Sequence, residues 1–185
     1  MKSSKILILL FTAAWLAGCS SPAQMEGMVF TPDASAVGSY DDVLQKQMQV
    51  KSVEGGEDTN PIWTSEISNE AFQAALEQSL ANAGLLGTDG RFKLSVTLTQ
   101  VDQPLFGFDM TVTSKIRYAL KDTLSDKIIL DEVIVAPFTA TVSDAFAGIK
   151  RVRIANEGSA RKNIELLPQK LEELNIGNEQ VSMAF

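Results

Sequence analysis

Histidine is absent from this 185-residue sequence, and with it goes much of enzyme chemistry. A Ser-His-Asp triad, a Cys-His dyad, an HExxH site and a Cys2His2 finger all need imidazole as base or ligand. A single cysteine leaves no disulfide within the chain. Basic residues are outnumbered, 16 against 23 acidic for a formal charge of -7, so nucleic acid is not an expected partner: phosphate contacts need a dominant basic field. Six prolines and twelve glycines are too few for a fibrous or low-complexity chain. There is no Walker loop, GxGxxG, GxSxG, calcium loop or hexapeptide repeat, and no cofactor is expected. What is present is ample apolar content, 45% of residues against 21% charged. That balance builds one packed globular domain and argues against disorder.

The strongest local signal is at the start. Lys2 and Lys5 precede an apolar run of eleven residues, Ile6 to Leu16, broken only by Thr12. The run is too short to span a bilayer, which takes about 20 apolar residues, and reads as a secretory signal peptide. Leu16-Ala17-Gly18-Cys19 follows at once and resembles the bacterial lipobox, in which cleavage falls between Gly18 and Cys19 and the cysteine carries the lipid. The plainer reading makes Cys19 a free thiol behind a leader cut elsewhere. The resemblance implies a diacylglycerol thioether on Cys19 and an acyl amide on its new amino terminus. At about 0.8 kcal/mol per buried methylene, one chain binds marginally and several hold permanently. Ser20 follows, and in the Gram-negative sorting pattern a residue other than Asp there implies transfer to the outer membrane. Removing residues 1–18 leaves 14 basic against 23 acidic residues.

Residues 1–18 are thus read as leader, 19–42 as an acylated tether of mixed small residues, and 43–185 as one domain. Val43 to Val53 is expected to hold a first short strand with Met48, Val50 and Val53 apolar. A helix is expected from Ser65 or Ser68, with Glu70 in its first turn, a stripe of Phe72, Ala75, Leu76, Leu80 and Ala83, and Gly84 as its stop. Phe92, Leu94, Val96 and Leu98 then alternate with polar residues, as do Phe108, Met110, Val112, Ile116, Tyr118 and Leu120. A further strand, Lys127 to Thr141, changes phase near Asp131-Glu132, which predicts a bulge there. Ser143-Asp144 reads as the cap of a long helix with Phe146, Ile149, Val152, Ala160, Ile164, Leu167 and Leu171 apolar, kinked or divided at Pro168. The expected class is α+β: a three- to four-stranded antiparallel sheet with two helices packed on one face.

Three groups of residues are candidates for interaction or chemistry. Lys150, Arg151, Arg153, Arg161 and Lys162 form the one basic cluster. They read either as a dock for an anionic partner or as solvated helix faces paired with Glu157 and Glu165. Pro104 to Phe108 is an unusually apolar connection. Leu105 and Phe106 are either a lipid- or protein-contacting tip or tucked beneath a helix end. Trp63 is read as a staple at the start of the first helix, or else a ligand platform. The carboxylates Asp102 with Asp109, and Asp131 with Glu132, lie close in sequence but in no recognised catalytic spacing.

Taken together, Leu16 to Cys19, the Phe72-to-Gly84 helix, the Phe92-to-Thr141 strands and the run Arg153 to Leu171 resemble small Gram-negative envelope lipoproteins. The terminal pattern of Ala155, Ala160, Asn163-Ile164 and Leu171 is similar to the last helix of the YajG-like and LptE-like groups and of the auxiliary lipoproteins of ABC-type lipid transport. The resemblance implies an outer-membrane-anchored, periplasm-facing accessory or binding subunit in envelope assembly or lipid transport. It would break no bonds, and its partners would be the membrane, through its anchor, and an envelope protein. A second reading is a module holding an amphiphile or small molecule in a pocket lined by Phe92, Phe108, Met110 and Phe138. A third, more remote, is a hydrolase built on paired carboxylates.

Overall fold

The computed structural model describes residues 21–33, 41–58, 65–174 and 176. Cys19, Gly18 and Trp63 lie outside the described residues, so the cleavage, lipid and staple readings stay where the sequence left them.

Four strands form one open sheet in the order of the chain: β1 (Met48–Glu54), β2 (Phe92–Asp102), β3 (Met110–Asp122) and β4 (Lys127–Ala140). β2, β3 and β4 are antiparallel neighbours, as their alternating faces require, but β1 joins β2 in parallel. The expected all-antiparallel sheet is therefore mixed. The reason is connectivity: a helix crosses between β1 and β2 and returns the chain to the same end, which makes the next strand parallel. Met48, Val50 and Val53 all face the core because the register shifts between Val50 and Ser52, adding one residue to the period.

That crossover helix, α2 (Asn69–Asn82), forms as its sequence dictates. Ser68 caps it, its hydroxyl accepting from the Ala71 N–H at 3.2 Å. Gly84 ends it at φ +74, with Gly84 N–H donating to Ala81 and Leu85 N–H to Leu80. This is the Schellman pattern, which satisfies carbonyls the helix end would leave bare.

The last helix, α3 (Gly148–Glu172), lies across β3 and β4 while α2 covers β1, and a one-turn helix α1 (Met25–Met28) wedges between them. It differs from expectation at both ends. It begins at Gly148, because Ser143-Asp144 is spent on a turn in which Asp144 accepts the Thr141 N–H at 2.7 Å. It also runs unbroken through Pro168. Small residues bring its centre tightly onto the sheet: a Cβ at Gly158 would overlap the Phe138 ring. There Ser159 Oγ donates to the Ala136 carbonyl at 2.7 Å, Asn163 Nδ2 to the Ile134 carbonyl at 2.9 Å, and Tyr118 OH to Asn163 Oδ1 at 3.0 Å. Burial pushes the Tyr118 hydroxyl far above its ordinary pKa. These groups fix the helix register on the sheet, since sliding would strand buried donors.

Two further departures concern sequence features. The bulge in β4 falls at Ile129, between the Leu130–Leu120 and Ile128–Lys121 pairs, rather than at Asp131-Glu132. The stretch expected as a spacer is folded where it is described: Ala23 and Met28 are buried in the main core. Their apolar side chains find a groove between α2 and α3, which is worth more than leaving them in water.

Candidate functional site

At one end of the sheet β2 hands over to β3 through residues 103–109, and β4 hands over to α3 through residues 141–147. Met110 pairs with Ala140, so both connections emerge side by side. They carry large apolar side chains to the solvent: Leu105 is 89% exposed, Phe106 87%, Phe108 85% and Phe146 94%, with Val142 at 43%. Leu105 and Phe106 are thus not tucked beneath a helix. Phe108 leaves the alternation assigned to it because β3 starts two residues later. Phe146 stands outside α3 instead of opening its apolar face. Loops are normally polar, so exposed apolar side chains on two adjacent loops make this end a candidate contact surface.

Beneath this tip sits Arg151, only 7% exposed. Its Nη1 donates to the carbonyls of Ala145 at 2.8 Å and Phe146 at 2.6 Å, and its Nη2 to the Gly107 carbonyl at 3.2 Å. The guanidinium therefore ties one loop to the other through their backbones. Among the described residues no carboxylate pairs with it, and its Nε finds no acceptor. A hollow of about 380 Å³ beside it is lined by Pro104, Leu105, Phe106, Met110 and Ile149.

The amino-terminal side of the described chain arrives at the same place. Ser21 accepts from Arg153 Nη1 on its hydroxyl at 2.8 Å and from Ser65 on its carbonyl at 2.9 Å. With Ile149, Lys150 and Arg153 it lines a small surface groove that adjoins the tip through Ile149.

The basic cluster predicted from sequence is not gathered into one patch. Arg153 stands 3.6 Å from Glu157, Lys162 is 2.9 Å from Glu165, and Arg161 lies over the Phe138 ring and reaches the Gly27 carbonyl. Lys150 is exposed and Arg151 is buried. Two of the five thus pair locally with a carboxylate, one is buried, and Lys150 and Arg161 stand outside the ion pairs of the described residues.

Of the acids in the two sequence pairs, one from each stands beside a cation. Asp131 lies on the helix-free face in a bidentate pair with Arg117, both bonds 2.6 Å, which holds it below the usual carboxylate range. Asp102 is 3.8 Å from Lys115. Among the described residues no three His, Cys, Asp or Glu side chains are placed to hold a metal ion. The four residues of the amphiphile-pocket reading part company as well. Phe92 is buried in the main core at the opposite end of the sheet, Met110 and Phe138 belong to a small cluster under α3, and Phe108 is in solvent.

The fold defines a class: a small open-sheet α+β domain, here with an exposed apolar tip at one end of the sheet. No known protein family matches the sequence, and no curated protein does. The chain is similar in structure to a Xanthomonas campestris protein of family DUF330, with a TM-score of 0.57 and 12% identity over 89% of this chain and 98% of that one. It is also similar to a candidate lipoprotein of Caulobacter crescentus CB15, with a TM-score of 0.50 and 12% identity over 70% of this chain and 90% of the other. At such identity the likeness is one of fold.

Proposed function

We propose that this chain is an outer-membrane-anchored periplasmic lipoprotein acting as a non-catalytic accessory subunit in envelope assembly or lipid transport. One observation carries the reading: Ser21, two residues after the lipobox-like Cys19, is built into the domain surface by Arg153 and Ser65. Ser21 thus belongs to the fold two residues after the position that would bear the lipid, and a similar fold occurs in the Caulobacter candidate lipoprotein. Anchoring would raise the effective concentration of the domain at its partner without any new contact. Asp102 of the first sequence pair and Asp131 of the second each stand beside a cation, Lys115 and Arg117, which favours this reading over a carboxylate hydrolase.

Labelling cells with a radioactive fatty acid, followed by mass spectrometry of the mature amino terminus, tests the anchor. Acyl mass on Cys19 is expected, and Cys19→Ala should abolish both label and membrane retention. An unmodified terminus, or retention in the variant, removes the proposal. Crosslinking in intact cells tests the accessory role, which predicts capture of a specific envelope complex rather than the free monomer alone.

A further inference from the structure

The position of the tip relative to the anchored end of the chain has a physical consequence. Two peptide units reach at most about 7 Å, so Ser21 cannot lie far from the lipid on Cys19. Ser21 shares a groove with Ile149 and Lys150, and Ile149 also lines the hollow under Leu105 and Phe106. Ser21, the first described residue, and the apolar tip therefore belong to one end of the domain. We infer that Leu105, Phe106, Phe108 and Phe146 enter the interfacial layer of the phospholipid leaflet that holds the anchor, so that the sheet stands on the membrane with this end down.

The inference rests on the lipoprotein reading and adds to it a surface, an occupant and an orientation. Several features fit a lipid occupant. Aromatic side chains favour the boundary between headgroups and acyl chains, where a large apolar body leaves water. Lys150 is exposed beside the anchor groove without an ion-pair partner among the described residues, and it is placed to meet phosphate oxygens. Arg151 holds both loops by their carbonyls, which keeps the four side chains projecting as a set. Asp109 follows Phe108 in the tip and is exposed, which limits the insertion to a shallow one. Asp144 is nearby but turned back onto the Thr141 N–H and hydroxyl.

The opposite end of the sheet supplies an internal control. Leu124, in the turn between β3 and β4, is 78% exposed, and with Ile128 at 60% it makes a smaller apolar surface without aromatic rings. The full acylated chain is reconstituted into vesicles of phosphatidylethanolamine and phosphatidylglycerol containing a phospholipid with a diazirine in its acyl tail. After irradiation, mass spectrometry maps the label. Peptides carrying residues 105–108 and 146 should take up at least about tenfold more than the Leu124 peptide. The double variant Phe106→Asp with Phe146→Asp should lose that excess while keeping its acyl mass and its thermal unfolding, since both positions are solvent-exposed in the fold. If Cys19 is acylated but tip and Leu124 peptides label equally, the tip is not in lipid and the orientation is overturned, while the lipoprotein reading stands. Label in native membranes showing the tip covered by a protein overturns it likewise. An unmodified Cys19 overturns both.

Discussion

Each end of the sheet holds a sheltered arginine, and the fold treats the two differently. At the closed end Arg91 meets Asp122 through two bonds, 2.6 Å and 2.7 Å, and the same carboxylate accepts the Leu124 N–H at 3.0 Å and the Ser125 hydroxyl at 2.7 Å. The Arg91 bonds hold the Asp122 carboxyl far below its usual range. Charge, turn and strand end are neutralised together. At the tip end Arg151 has, among the described residues, carbonyls alone. Carbonyl dipoles can fix two loop backbones around a guanidinium without bringing an opposing charge, so the side chains of those loops are free to be apolar and to face outward. One end is locked by an ion pair. The other is shaped by hydrogen bonds and left as a surface.

The largest expected effect comes from breaking the lock. Asp122→Ala removes the carboxylate facing Arg91 at a sheltered site and should cost about 3 kcal/mol in denaturant unfolding. A loss under about 1 kcal/mol would mean that the two ends are not so different. Arg151→Met keeps the bulk but removes three donors, and should cost about 2 kcal/mol. Its signature is local: hydrogen exchange should quicken in residues 104–109 and 141–147 and not in the β3–β4 turn. Uniform quickening would deny Arg151 its role as a clip.

A smaller effect should appear in acid. With its pKa lowered by folding, Asp122 binds fewer protons in the folded than in the unfolded state. Its contribution is therefore fully present above the ordinary carboxylate pKa of about 4 and is lost as pH falls below it toward the depressed value. Asp122→Asn should be less stable than the parent at neutral pH and should flatten this part of the acid limb. An unchanged limb would place the acid sensitivity elsewhere. Smallest of all, Phe106→Ser and Phe146→Ser should shift unfolding by no more than about 0.5 kcal/mol, because exposed side chains leave little packing behind. A larger loss would show the tip to be part of the core.

Much of this architecture was legible where physics is local. The alternation of Phe92 to Leu98 names a half-buried strand, the Ser68 hydroxyl names a helix start, and Gly84 names a stop, because each acts within a few residues of itself. The apolar connection at 104–108 was also visible, although two outcomes for it were open. Other features had no local signal. Phe146 fits a helical period and would face the core if α3 began at Ser143. It is exposed because Asp144 bonds Thr141 and delays the helix to Gly148. Arg151 looks like its neighbours Lys150 and Arg153 in sequence, and only the carbonyls gathered around it set it apart.

By itself, then, the sequence determined the succession β1, α2, β2, β3, β4 and α3 and the want of any imidazole chemistry, and it carries the export-type, lipobox-like pattern on which the expected anchor rests. Composition and short-range periodicity suffice for these. The tertiary structure alone decided that β1 lies parallel to β2, that Ser21 meets the start of α3, and that residues 105–108 and 146 form one tip around a buried arginine. Such facts depend on contacts between segments tens of residues apart, and no property of either segment encodes where the other will be.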